Sequence, residues 1–239
     1  MQRLAQLLLA VVLLAACGSS DQRSDEAVVF AASSLVDVLT DLSSNNETEF
    51  SGAVLSFASS ASLAAQVVDG APVDLFVSAD RRQIDELLEA GFGTSAPQVV
   101  ARNSLVIAVE VGNPLGISTL DDLSRSDVLL ALAAPGVPLG EYSELMLAAA
   151  DLEVSPVTYE ADARAVLAKV ILGEVDAGIV YLTDAASSND VETVRIDEGQ
   201  SISVEYVALE LSDRSGELLQ ALLEDDGQQA FVRRGFVLP

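Results

Sequence analysis

Serines cluster at two points where a predicted strand gives way to a predicted helix. The first cluster occupies residues 30–35 (FAASSL) and the second residues 56–63 (SFASSASL). The first backbone N–H groups of a helix have no partner inside the helix, and the positive end of the helix dipole favours negative charge. Hydroxyl and amide donors at such junctions therefore suit a bound anion, which they can hold without a cationic side chain.

Plain helix capping by serine is the alternative explanation for each cluster. Two features favour binding over capping alone. Both clusters follow early strands, so both helix starts are expected at the same edge of one sheet, where open α/β sheets bind ligands. Small residues on either side also allow backbone amides to approach a ligand closely.

Residue composition argues against common catalytic and metal-ligating groups. The chain has no histidine, which excludes a Ser-His-Asp triad, and its single lysine, Lys169, lies within a predicted amphipathic helix. Transition-metal sites lack their usual ligands, because Cys17 is the only cysteine. The acidic pairs 121–122 and 225–226 lack the spacing of a calcium loop. Spacing alone leaves open a carboxylate pair for glycoside hydrolysis, although nothing marks one among the 37 acidic residues. We expect no enzymatic activity, no cofactor and no directly ligated metal ion.

Net charge restricts the partners. The formal charge of −25 disfavours nucleic acid, whose phosphates would be repelled, and electrostatic docking on an anionic membrane. Half of the residues are apolar, so 239 residues can bury a substantial core in one or two domains.

The N-terminus reads as a targeting segment. Residues 1–17 carry a positive charge at Arg3 and an apolar run from Leu7 to Ala16, too short to span a membrane comfortably. The run ends in LAAC at Cys17, which resembles the lipobox of bacterial lipoproteins. That resemblance implies cleavage before Cys17, lipid attachment to it and a place on the outer face of the cell membrane. Residues 18–26 would form a flexible tether. An ordinary cleaved signal that happens to contain a cysteine is the alternative.

Strands and helices alternate along the rest of the chain, which predicts an α/β fold with mostly parallel sheets. The pattern places a strand at 28–31 and makes Ser34 the N-cap of the first helix. The second helix is predicted to begin near Ser62. Residues 135–140 read as a loop, followed by a helix from about Glu141.

Six stretches resemble, in order, the motifs of periplasmic molybdate-binding proteins, the substrate-binding components of molybdate ABC importers. They are residues 29–35, 55–66, 70–80, 137–142, 173–185 and 235–236. The resemblance implies a two-lobed periplasmic-binding-protein fold of type II, with two crossover strands and the ligand in the cleft between the lobes. It places the crossovers at 105–109 and 205–209, lobe 1 at 27–106 plus 207–239, and lobe 2 at 107–206.

The resemblance also implies a set of ligand donors. They are the hydroxyl and amide of Ser34, the amides of Ala61, Leu139 and Ala163, and the hydroxyl of Tyr181. Many relatives have serine or glycine at the position of Ala61, so Ser60 or Ser62 is a candidate to replace a lost hydroxyl. The implied ligand is molybdate or tungstate, bound as an intact oxyanion, and the implied partner is a membrane permease. A monomer is expected.

Two other functions stay open at this point. The same fold could bind sulfate or another oxyanion, and an enzyme or sensor domain could use the same scaffold. The absence of histidine and of an appended domain argues against the enzyme or sensor.

Overall fold

A computed structural model describes residues 26–45 and 48–239. Cys17 and residues 18–25 of the predicted tether lie outside these ranges. The described residues form nine strands: Val28–Ala32 (β1), Val54–Ala58 (β2), Leu75–Ser78 (β3), Gln98–Glu110 (β4), Leu130–Ala133 (β5), Thr158–Glu160 (β6), Ala177–Tyr181 (β7), Val191–Arg195 (β8) and Ser203–Glu210 (β9).

Helices occupy the connections between most strands. The α-helices of the described ranges are Val36–Ser44 (α1), Ser60–Val68 (α2), Arg81–Glu89 (α3), Pro138–Ala149 (α4), Ala163–Ile171 (α5), Leu182–Ala186 (α6), Gly216–Leu223 (α7) and Asp225–Arg233 (α8). Two short 3₁₀ helices, Ser33–Leu35 (η1) and Leu120–Ser124 (η2), complete the set. Among the residues described, no helix combines the length and apolar character needed to cross a membrane.

Strand pairing divides the protein into two lobes that share the long strand β4. The sheet order is β2-β1-β3-β9-β4-β7-β5-β6, with β8 also paired to β4. From Gln98 to Ser104, β4 pairs with β9, and from Leu105 onward it pairs with β7 and β8. The first lobe is built on β1, β2, β3 and β9, and the second on β5 to β8. The α/β, two-lobed architecture expected from the sequence is therefore confirmed, while the residue ranges predicted for each lobe stay a prediction.

Parallel pairing places the helix starts of each lobe at one edge of its sheet. In the first lobe β1 runs parallel to β2 and β3, and in the second β5 runs parallel to β6 and β7. A helix follows the carboxyl end of each of these six strands. The two sets of carboxyl ends border one cleft, which is where open α/β sheets bind ligands.

Local signals explain most of the helix boundaries. Ser59 and Asp80 cap α2 and α3 by accepting hydrogen bonds from Ser62 N and Gln83 N. Gly70 and Gly173 follow the ends of α2 and α5 with φ angles of 95° and 64°, the left-handed conformation that ends a helix readily only at glycine.

Three predicted helix starts need correction. Ser34 is not an N-cap, because it lies inside η1 and its hydroxyl bonds another side chain. Helix α2 begins at Ser60 rather than Ser62, since Ser59 is the capping residue. Helix α4 begins at Pro138 rather than Glu141, because proline is well suited to the first helical position, where no N–H partner is needed.

Candidate anion-binding site

Short segments from both lobes meet around one small cavity. It is lined by Ala32, Ser33, Ser34, Ala58, Ser59, Ser60 and Ala79 from the first lobe, and by Val137, Pro138, Leu139, Asp162, Ala163 and Tyr181 from the second. Its volume is about 10 Å³. A cavity this small suits a compact ion rather than an organic solute.

Four helix starts contribute residues to the lining of this region, and their first backbone N–H groups have no partner within the helix. In α4 the first internal hydrogen bond runs from Glu141 N to Val137 O, which leaves the amides of Leu139 and Gly140 outside the helical pattern. In α5, Asp162 caps Ala165 N, so the amide of Ala163 is left over in the same way. The starts of η1 and α2 contribute equivalent positions at Ser34 and Ser60.

Tyr181 supplies a hydroxyl donor from the end of β7. Its side chain is 2% exposed, and its hydroxyl is buried without a hydrogen-bond partner among the described residues. Burial raises the pKa of Tyr181 well above its usual value, so the hydroxyl keeps its proton at neutral pH. A buried unpaired hydroxyl costs roughly 1–3 kcal/mol, and an acceptor placed in the cavity would remove that cost.

The second serine cluster is arranged differently from the prediction. Ser60 lines the cavity and its Oγ accepts a hydrogen bond from Ala79 N at 3.0 Å, which leaves the Ser60 proton free to be donated. Ala61, predicted as the amide donor, is half-buried and is not among the lining residues. Ser62 is exposed, and its amide is bonded to Ser59 Oγ. Of the two candidate replacements for a hydroxyl, the structure brings Ser60 to the cavity.

No positively charged side chain lines the cavity in the described part of the chain. The one carboxylate on the lining, Asp162, accepts from Ala165 N and so stabilises the start of α5. Favourable potential for an anion therefore comes from backbone dipoles and hydroxyl groups.

Two arginines join the lobes beside the cavity. Arg164, the second residue of α5, forms an ion pair with Asp37 of α1, and its Nε lies 2.7 Å from Oδ1 of the fully buried Asp184. Arg82 of α3 donates to the carbonyl oxygen of Gly136 at 2.9 Å, just before α4. These contacts hold the cleft closed in this structure.

Asp184, the buried acid that pairs with Arg164, has a raised pKa. Burial raises the pKa of Asp184 to about 7, and the neighbouring Arg164 guanidinium opposes that rise. Removing the arginine would leave a buried carboxylate uncompensated, which is strongly destabilising. Arg164, the residue after Ala163, therefore connects the start of α5 to Asp37 and Asp184 through its ion pairs.

Residues 27–237 match the family described as bacterial extracellular solute-binding protein. The chain belongs to this family. As the family's description implies, this solute-binding protein acts outside the cytoplasm, and it is not an enzyme.

Individual relatives support the same placement. The molybdate-binding protein ModA of Mycobacterium tuberculosis (strain H37Rv) is 35% identical over 201 residues, which cover 79% of this chain and 77% of that relative. The periplasmic molybdate-binding protein of Azotobacter vinelandii superposes with a TM-score of 0.76 at 20% identity, over 90% of this chain and 100% of that one. The sulfate-binding protein SubI of M. tuberculosis gives a TM-score of 0.76 at 17% identity, over 88% and 86%. These two structures show that the solute-binding protein shares their fold.

Sequence reasoning missed two residues that matter to the site of this solute-binding protein. Tyr206 bonds Ser34 Oγ at 2.8 Å, and Asn103 lies behind Tyr206. Neither residue belongs to a motif, and Tyr206 is 172 positions from Ser34. The resemblance placed a crossover strand at residues 205–209 but gave no sign of this polar contact.

Proposed function

We propose that this solute-binding protein captures molybdate, and also tungstate, outside the cytoplasm and delivers it to the membrane permease of an ABC importer. The observation that carries the proposal is the cavity between the lobes. It presents hydroxyl groups and helix-start amides, with a buried Tyr181 hydroxyl that lacks a partner among the described residues. The proposed ligand-binding residues are Ser34, Ser60, Leu139, Ala163 and Tyr181, with Ala61 contributing through the start of α2. The sequence similarity to ModA supports the choice of oxyanion.

The chemistry of molybdate matches the hydroxyl and amide donors of the cavity. Molybdate is a fully deprotonated tetrahedral dianion at neutral pH, and all of its oxygens accept hydrogen bonds. Backbone N–H groups and serine and tyrosine hydroxyls can satisfy these oxygens. Phosphate retains a proton over much of the neutral range, and an unpaired buried proton donor costs roughly 1–3 kcal/mol. Sulfate has the same charge as molybdate but is smaller, so a pocket of fixed size discriminates against it by longer contacts.

Capture uses both lobes. Ser34 and Ser60 belong to the first lobe, whereas Leu139, Ala163 and Tyr181 belong to the second. An anion that contacts both sets stabilises the closed arrangement by its difference in affinity for the closed and open forms. Release to a permease then requires the lobes to separate, which breaks the contacts of Arg164 with Asp37 and of Arg82 with Gly136.

Competition calorimetry on the soluble domain tests the ligand. Molybdate is expected to bind in the cavity, with tungstate competing at comparable concentration because the two anions are nearly equal in size. Sulfate is expected to need at least about a hundredfold more, equivalent to roughly 2.7 kcal/mol. Phosphate is expected to be no better than sulfate. Displacement of molybdate by sulfate at equal concentration would contradict the assignment and favour a general oxyanion receptor.

We further propose that Cys17 carries lipid and holds the protein, as a monomer, on the outer face of the cell membrane. The LAAC sequence at residues 14–17 supports this. Cys17→Ser is expected to move the protein from the membrane fraction to the soluble or secreted fraction without changing its affinity for molybdate. Fractionation of cells, followed by calorimetry on both forms, measures the two effects. Unchanged membrane retention of the variant would rule out lipid attachment at this residue.

A further inference from the structure

A short chain of hydrogen bonds connects Ser34 to Tyr206 and Asn103, two residues that do not line the cavity. Asn103 Oδ1 accepts from Ser104 N at 2.9 Å. A backbone N–H can only donate, so this contact fixes which end of the Asn103 amide is oxygen and which is nitrogen. The Nδ2 group of Asn103 then faces Thr183 Oγ1 at 2.8 Å and Tyr206 Oη at 3.4 Å.

The direction of the chain follows from this orientation. Nδ2 only donates, so the oxygen of Tyr206 accepts from it. Tyr206 is fully buried, and Ser34 Oγ, at 2.8 Å, is the acceptor that the described residues offer to its proton. The reverse arrangement, with Ser34 donating to Tyr206, would leave the buried Tyr206 proton unpaired. Ser34 therefore accepts from Tyr206, and its own proton is left for another acceptor, such as an anion in the cavity that Ser34 lines.

Packing holds Tyr206 in place for this role. Its ring makes edge contacts with Tyr181 and Phe236, with centroids 6.0 and 5.2 Å apart. Burial raises the pKa of Tyr206, so the hydroxyl stays protonated at neutral pH. Asn103 lies two residues before Leu105, where β4 changes from pairing with β9 to pairing with β7 and β8. The chain of hydrogen bonds thus lies at the connection between the lobes.

We infer that Asn103 and Tyr206 are positioning residues that make Ser34 a hydrogen-bond donor to the bound anion and prevent it from acting as an acceptor. This inference rests on the proposed oxyanion function and deepens it. A serine free to rotate could accept a proton from hydrogen phosphate or hydrogen arsenate. A serine held as a donor leaves that proton without a partner, so selection against protonated oxyanions depends on residues that do not contact the ligand.

Tyr206→Phe tests the inference because it keeps the ring and removes only the hydroxyl. We expect affinity for molybdate to fall by about three- to tenfold, which is the range of one neutral hydrogen bond. The diagnostic quantity is the ratio of the dissociation constants for hydrogen arsenate and sulfate at mildly alkaline pH, where both are dianions but only arsenate carries a proton. That ratio is expected to fall by at least about threefold, which means that arsenate binds more tightly relative to sulfate. Tyr159→Phe, at a tyrosine that is 55% exposed on β6, is the matched control and is expected to change neither quantity.

Two further variants separate orientation from general damage. Ser34→Ala removes the group being oriented, so adding Tyr206→Phe to it should leave the arsenate-to-sulfate ratio unchanged. Asn103→Asp replaces the donor with an acceptor and should reverse the chain, turning the Ser34 proton toward Tyr206 and shifting the ratio toward arsenate. This second variant keeps the inference testable if Tyr206→Phe fails to fold.

The outcomes distinguish the two proposals. A parent protein that binds no oxyanion would refute the proposed function itself. A parent that binds molybdate or sulfate, with an arsenate-to-sulfate ratio unaltered by both Tyr206→Phe and Asn103→Asp, would overturn only the orienting role. The same shift on the Ser34→Ala background would also overturn it, because the effect would then not pass through Ser34.

Discussion

Tyr181→Phe is expected to weaken molybdate binding by about tenfold or more and to reduce the stabilisation that bound molybdate gives. The Tyr181 hydroxyl lines the cavity and is buried without a partner among the described residues, so a bound anion is the acceptor that it lacks. With the anion bound, this hydroxyl donates to a charged acceptor, a contact worth about 1.5–3 kcal/mol. The two effects have the same cause, because a ligand stabilises the folded protein more when it binds more tightly.

Thermal unfolding with and without molybdate, together with calorimetry, measures both effects of Tyr181→Phe. The expected pattern is a smaller increase in melting temperature on addition of molybdate than the parent protein shows. Tyr159→Phe serves again as a control that should leave both values unchanged. If the Tyr181 variant binds molybdate as tightly as the parent, Tyr181 is not a ligand-binding residue.

Gly140→Ala is expected to reduce affinity by about a hundredfold, or roughly 2.7 kcal/mol. A Cβ at this position would lie 2.2 Å from the carbonyl oxygen of Ala134 and 2.8 Å from that of Ala133, both backbone atoms that cannot give way easily. The start of α4 would have to move away from β5, taking the amide of Leu139 with it. Overpacking of this kind also destabilises a protein by about 1–3 kcal/mol.

Gly199→Ala is the matched control for Gly140→Ala, because a Cβ at Gly199 meets nothing within 4 Å. Calorimetry should show the loss only in the Gly140 variant, and urea unfolding should confirm that this variant still folds cooperatively. A folded Gly140→Ala protein with parent affinity would show that the start of α4 does not hold the anion.

The sequence predicted the site best where the residues that line the cavity also mark the start of a helix. The serine clusters predicted helix starts at a sheet edge, and the structure places Ser34 and Ser60 on one cavity. The alternation of strands and helices is also a local signal, and it predicted the α/β fold. The ordered motifs carried the resemblance that implied two lobes.

Features that depend on distant contacts were not predictable in the same way. Residues 135–140 contain proline and glycine, which indicated a loop. In the structure a helix begins at Pro138, and Gly140 in its first turn lies close to the backbone at the end of β5. Helix α2 begins earlier than predicted because Ser59 is its capping residue, and Ser60 rather than Ser62 therefore lines the cavity. The contact of Ser34 with Tyr206 joins residues that are far apart in sequence, so no local pattern marks it.

A crystal structure of the soluble domain grown with molybdate is the decisive test of the site, because anomalous scattering locates molybdenum. One molybdenum is expected in the cavity between the lobes. Its oxygens should lie within about 2.7–3.2 Å of the donors, among them the Tyr181 hydroxyl, the Ser34 hydroxyl and the amides of Leu139 and Ala163. Molybdenum bound elsewhere, or absent from this cavity at saturating concentration, would contradict it.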